Sequence, residues 1–189
     1  MNQKFYDVIE VNPVIAAIKD DAGLERICEL EDMEIVFVLY GDICSVVNIV
    51  ERLHQAGKTV IVHVDLIEGI SGKEAAIEYI KDVVKADGII STKPTLIRKA
   101  RELSLYTILR LFVLDSMALE NVKQQALTAK PDVIELLPGL MPKIIKRVCQ
   151  NSRIPVMASG LISEKRDVVE ALQAGAISIS TTNPNVWVE

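Results

Sequence analysis

The fold class this sequence predicts is α/β, a compact TIM-like (β/α) barrel, on three observations. Eight short runs rich in Val and Ile recur along the chain, at 11–18, 34–40, 59–66, 88–92, 106–114, 132–137, 155–159 and 176–181. They are apolar throughout rather than alternating, the pattern of strands buried on both faces of a parallel sheet. Segments with helical spacing separate them, and eight units in 189 residues leave about 24 residues each, a shortened version of a fold that typically runs to ~250 residues. A doubly wound open sheet is the alternative, but it uses fewer strands, and no G-x-G-x-x-G fingerprint follows the first run.

In chain order, residues 1–10 are expected to form a short helix that covers a gap or the barrel floor. The first two runs, at 11–18 and 34–40, supply the first two strands. A helix then starts near Ser45, carries Val47, Ile49, Val50 and Leu53, and stops at Gly57, glycine being the usual residue just past a helix end. After the third run, a helix starting near Gly72 carries Ala76, Ile77, Ile80, Val83 and Val84. The runs from 88 to 159 supply strands four to seven. The helix behind the seventh carries Val168, Val169 and Leu172 and ends at Gly175. Only residues 183–189 follow the eighth run, so the last helix is expected to be shortened or missing. No linker or composition shift divides the chain, and residues 1–189 read as a single domain.

Half of the residues are hydrophobic and only 4% aromatic, so the core is aliphatic; the net charge is −5. A global basic footprint for nucleic acid is therefore missing. Two local basic clusters stand out, Lys93, Arg98, Lys99 and Arg101, and Lys143, Lys146 and Arg147. Both have helical spacing, which an ordinary solvated helix face also explains. Cys28, Cys44 and Cys149 are isolated, each expected in a helix, without metal-ligand spacing, which suits a reducing compartment. The first residues are too polar for a signal peptide, and no apolar run approaches the ~20 residues of a membrane span. The expectation is a cytoplasmic protein without a membrane partner; a homo-oligomer is left open.

Chemistry in parallel barrels sits at the C-terminal ends of the strands, and the polar residues here fall there. Asp65 and Glu68 follow the third strand; Ser91, Thr92 and Lys93 the fourth. Glu135 and Gly139 close the sixth, Ser159 and Gly160 the seventh, and Ser180, Thr181, Thr182 and Asn183 the eighth. The last two loops offer hydroxyls, a glycine that lets backbone N–H groups approach an anion, and Pro184 at a candidate helix start, which fits a phosphate site. The same small polar residues also make ordinary tight turns and helix caps. His63, Asp65, Arg110 and Glu135 lie in or at the end of apolar strands, with parity that allows all four to point inward. Either they contact a ligand or they form an ion-pair network that fills the lumen. His63, one layer below Asp65, reads as a packed core histidine. Asp65 and Glu135 could serve as an acid–base pair or bind a divalent ion. No strand carries a Schiff-base lysine, Lys93 just beyond the fourth being the only candidate. Zinc spacing, H-E-x-x-H and G-x-S-x-G are missing.

Six segments in order carry a resemblance: residues 12–18 (NPVIAAI), 63–69 (HVDLIEG), 88–93 (GIISTK), 111–116 (LFVLDS), 134–139 (IELLPG) and 159–162 (SGLI). As a set spanning about residues 11–182, they resemble the glycerol uptake operon antiterminator regulatory protein family. The resemblance implies a barrel-like fold and a regulatory, non-catalytic role. It further implies glycerol-3-phosphate, or a similar phosphorylated small molecule, as effector, no cofactor, and the leader mRNA of glycerol-metabolism genes as partner. Under it Asp65, Thr92, Lys93, Arg110, Glu135, Gly139, Ser159, Gly160, Thr181, Thr182 and Asn183 become the candidate ligand-binding residues. The chain departs from the family pattern at Lys93, Ser163, and Asn183 to Asn185, where the family often carries arginine or other basic residues. The alternative reading is a barrel enzyme, or a divergent binder of a phosphorylated metabolite, without RNA.

Overall fold

A computed structural model describes residues 3–188. Eight strands close into a parallel barrel in sequence order: β1 (Val14–Ile18), β2 (Ile35–Val38), β3 (Thr59–His63), β4 (Gly88–Ser91), β5 (Tyr106–Phe112), β6 (Val133–Leu137), β7 (Val156–Ser159) and β8 (Ser178–Thr181), with β8 pairing back onto β1. Helix α1 (Gln3–Val11) precedes β1. The helices between strands are α2 (Asp21–Cys28), α3 (Val46–Gln55), α4 (Ala75–Tyr79), α5 (Pro94–Glu102), α6 (Ser116–Ala129), α7 (Pro142–Asn151) and α8 (Lys165–Gln173).

Strand alternation divides the core in two. Residues such as Val36, Val62, Ile89, Leu109 and Ile134 point outward and pack against the helices. Ile15, Phe37, Ile61, Ile90, Ile108, Val133 and Met157 point into the lumen, so the barrel is filled rather than hollow. Ile9 of α1 joins this inner cluster at 2% exposure, and the Tyr6 hydroxyl donates to the Asp132 carbonyl at 2.7 Å. Helix α1 therefore plugs the floor, as the sequence led us to expect; residues 1 and 2 of that expectation lie outside the described residues.

At Gly88 the inner packing leaves no room for a side chain. A methyl group there would sit 2.6 Å from the Tyr106 carbonyl oxygen and 2.7 Å from Cδ1 of Ile61. Backbone cannot yield as a side-chain tip can, so Gly88→Ala is expected to destabilise the fold by about 1–3 kcal/mol, the usual range for overpacking. An unchanged urea midpoint would show that the barrel relaxes there.

Several boundaries differ from the sequence expectation, each for a local reason. β1 begins at Val14 because α1 runs to Val11 and the Asn12 side chain turns the chain, accepting from the Val14 N–H at 3.0 Å. β3 stops at His63, and Val64–Leu66 form a single 3-10 turn, so Asp65 is not a strand residue. β5 stops at Phe112. The helix expected from Gly72 starts at Ala75 and widens into a π turn over Ile80–Val84. That turn keeps Ile80 and Val84 buried but rotates Val83 into solvent. Cys44 lies in the turn before α3 rather than in a helix. Behind β8 there is one 3-10 turn, Val186–Val188, whose Trp187 indole N–H donates to the Thr181 carbonyl at 2.9 Å.

Candidate functional site

The polar residues of the lumen gather at the C-terminal end of the barrel. Arg110 of β5 and Glu135 of β6 are direct register partners. Their side chains meet as a fork, with Arg110 Nε donating to Glu135 Oε2 at 2.6 Å and Nη2 to Oε1 at 3.2 Å. Glu135 is fully buried and Arg110 nearly so, and bidentate geometry is what lets such a pair exist away from water. The Ser180 hydroxyl donates to Glu135 Oε1 at 2.9 Å, and Ser159 and Ser180 share a hydroxyl–hydroxyl bond of 2.7 Å. Strands β5 to β8 are thus joined by a continuous polar chain.

His63 lies beside this chain. Its ring is buried, and Nδ1 has no hydrogen-bond partner among the described residues. Burial, and then the Arg110 charge, push the imidazole pKa down to about 4, so the ring is neutral at physiological pH. The packed histidine the sequence suggested therefore has an unpartnered nitrogen rather than a satisfied one.

Asp65 organises the start of α5. Its Oδ2 accepts from the Thr92 N–H at 2.7 Å, the Ser91 hydroxyl at 3.0 Å and the Thr92 hydroxyl at 3.2 Å. Burial alone would raise this carboxyl, but those donors, with His63 and Lys93 nearby, outweigh it and hold the pKa below the usual carboxylate range. Lys93 Nζ stands 3.4 Å from Oδ1 and is about half exposed. A methyl group at Gly72 would collide with that ammonium, so the loop after β3 passes directly over it.

The last loops, where the sequence suggests a phosphate cradle, are tied to one another by their own hydrogen bonds. Thr181 faces outward, and its buried hydroxyl donates to the Ile162 carbonyl at 2.7 Å while accepting from the Asn183 N–H at 3.1 Å. Asn183 Nδ2 donates to the Ser163 carbonyl at 2.9 Å. The Gly139 N–H donates to the Gly160 carbonyl at 3.0 Å, and a Cβ at Gly139 would sit 2.8 Å from Ile162. These residues tie the loops to one another. Asp167 Oδ2 already accepts the Ser163 and Glu164 N–H groups at 2.8 and 3.1 Å, so the N-terminus of α8 carries a carboxylate where an anion would otherwise bind. Gly160 and Leu161 both have positive φ, +79° and +64°, and this bend holds an exposed leucine at the mouth. Thr182 lines a separate cavity of ≈ 640 Å³ with Lys19 and Trp187.

A family model described as glycerol-3-phosphate responsive antiterminator matches residues 14–187. This chain belongs to that family. It is 44% identical over 180 residues to YgcP of Escherichia coli (strain K12), covering 95% of this chain and 94% of that protein. The crystal structure of the glycerol uptake operon antiterminator regulatory protein of Listeria monocytogenes str. 4b F2365 is similar at a TM-score of 0.90. It shares 33% identity and covers 94% of this chain and 95% of that one. A glycerol uptake operon antiterminator-related protein from Thermotoga maritima MSB8 gives 0.82 at 33% identity, covering 93% and 98%.

In this antiterminator-family barrel, the candidates separate into three groups. Arg110, Glu135 and Ser159 share the lumen with His63, while Asp65, Thr92 and Lys93 form a second cluster at the fourth strand end. Gly139, Thr181 and Asn183 are held in loop-to-loop bonds. Ser180, which the sequence reading leaves among the loop hydroxyls, is the link between Glu135 and Ser159; strand parity, two residues from Ser178, is the signal that points to it. Lys19 directly follows β1, as closely as any strand-end lysine in the chain, and contradicts the reading of Lys93 as the only such residue. Among the described residues no His, Cys, Asp or Glu cluster could hold a metal, and no helix is long and apolar enough to cross a membrane.

Proposed function

We propose that the chain senses glycerol-3-phosphate at the C-terminal mouth of its barrel and binds the leader mRNA of glycerol-metabolism genes, letting transcription pass a terminator. The observation that carries the reading is the Arg110–Glu135–Ser180–Ser159 chain at the ligand-binding end of a barrel from a glycerol-3-phosphate responsive family. Lys93, half exposed beside Asp65, supplies a cation for the phosphate. His63 Nδ1 and the carboxylates are the groups suited to the effector's hydroxyls. A regulatory role fits these groups better than catalysis. Glu135 already accepts from Arg110 and Ser180 and is not a free base, and Lys93 stands outside the lumen. An mRNA partner places the protein in the cytoplasm.

Thermal unfolding with and without glycerol-3-phosphate tests the effector. At about 100 times the dissociation constant the ligand should stabilise the fold by about 2.7 kcal/mol, whereas glycerol or inorganic phosphate alone should do far less. Lys93→Ala should weaken effector binding by the ~1.5–3 kcal/mol of a charged hydrogen bond, roughly ten- to 150-fold in affinity, and shift the thermal response to correspondingly higher concentration. No stabilisation of the wild-type chain at any concentration sinks the effector reading. Stabilisation without binding to any leader transcript would identify a sensor that acts without RNA.

A further inference from the structure

The net charge of −5 conceals two unlike sides. Residues 19–87, which include α2 to α4, carry 15 Asp and Glu against 7 Lys and Arg. Residues 93–153, which include α5 to α7, carry 11 Lys and Arg against 5 Asp and Glu. Because the barrel closes β8 onto β1 in sequence order, β1 and β2 stand across from β5 and β6. The acidic α2–α3 side and the basic α6–α7 side therefore face opposite directions. Within the basic stretch, Arg110 is engaged with Glu135 in the lumen and Lys99 with Glu78. Lys123, Lys143, Lys146, Arg147 and Arg153 are exposed and form no ion pair among the described residues.

Between α6 and α7 the basic side opens into a groove of ≈ 500 Å³. Half-buried Leu119 and Ile154 supply its apolar floor over the buried Val122, Ile134 and Val148, and Lys123, Arg147 and Arg153 line it with them; among the described residues Glu120 is the only carboxylate there. Leu127, 59% exposed, extends the apolar surface. A merely solvated helix face has no reason to set unpaired cations around an apolar cleft. Unpaired RNA has the complementary chemistry: phosphates for the cations, and splayed bases whose faces stack on guanidinium planes and cover apolar surface. A duplex would present its backbone and leave the floor uncovered.

We infer that the α6–α7 groove is the RNA-docking surface and takes single-stranded RNA, with phosphates on Lys123, Arg147 and Arg153 and a base on the floor. This rests on the RNA-binding reading proposed above and gives it a location that the overall charge conceals. It also places RNA on the outer wall of the barrel, away from the mouth, so effector and RNA do not compete for one site.

Fluorescence anisotropy of a fluorescein-labelled single-stranded RNA pool of random sequence, with full-length protein and saturating glycerol-3-phosphate, tests it. Lys123→Ala/Arg147→Ala/Arg153→Ala should weaken binding at least tenfold. It should also flatten the log–log salt dependence by about two, at roughly 0.7 per lost phosphate contact. Arg26→Ala on the acidic side should change neither, and Arg147→Gln alone should give a smaller loss in the same direction if the triple variant unfolds. Wild-type binding that the triple and single variants both retain overturns the location but not the RNA reading. Failure of the wild-type chain to bind any RNA overturns both. If sedimentation shows that these substitutions abolish a salt-sensitive dimer while RNA affinity holds, the groove belongs to a second copy and the inference is wrong.

Discussion

Glu135→Ala is expected to lower stability by about 3–5 kcal/mol, the usual result of removing one partner from a buried ion pair. The size follows from what remains. Arg110 would keep its charge in a site only 8% exposed, and Ser180 would lose its acceptor at 2.9 Å. Against a total stability of ~5–15 kcal/mol, that is a large fraction of the whole, and the urea midpoint should fall accordingly. Replacing both charges is a different experiment. Arg110→Met/Glu135→Leu removes the desolvation burden along with the attraction, and such swaps are often neutral or stabilising. Urea midpoints of the two variants therefore separate a pair needed for folding from one kept for binding. A folded double variant without any thermal response to glycerol-3-phosphate places the pair in the effector site. A folded double variant that still responds removes Arg110 and Glu135 from it. A Glu135→Ala midpoint equal to wild type would mean that water reaches Arg110 and the pair is not buried as described.

Strand number, order and buried lumen were legible because a parallel strand covered on both faces must be apolar along its whole length, and eight such runs leave little choice of fold. Arg110 and Glu135 were legible for the same reason, since a charge inside such a run needs a partner, and the register makes them each other's. Asp65 was misplaced on a strand because Val64 and Leu66 continue the apolar run through what is a 3-10 turn; turn geometry over three residues leaves no periodicity to read. The hydroxyls at the ends of β7 and β8 were ambiguous in principle. A threonine that binds phosphate and one that ties two loops look alike until the Ile162 carbonyl is seen 2.7 Å from Thr181. The basic side went unrecognised as a side because net charge averages over the ring of helices, and only the closure of the barrel sets α6–α7 across from α2–α3.

His63 should make the protein acid-sensitive well above the carboxylate range. Its ring titrates near 6.5 in the unfolded chain and near 4 when folded, chiefly because burial disfavours the charged form and Arg110 adds to the effect. Between those values the unfolded state holds a proton that the folded state does not, so stability falls as pH drops. The contribution is fully present above about 6.5, declines through that window, and levels off near 4. Integrated over it, the loss comes to roughly 3 kcal/mol at 1.36 kcal/mol per unit. Asp65, whose folded pKa is depressed, contributes in the same direction, but only as pH falls below its unfolded value near 3.9, which keeps the two windows apart. Urea titrations of wild type and His63→Gln at neutral pH and near pH 5 read the difference directly. The wild-type chain should lose stability between the two, and the variant should lose markedly less. Equal losses would show that the ring is not held neutral by the fold. In that case Nδ1 would be solvated, and no longer a spare polar group available to a ligand hydroxyl.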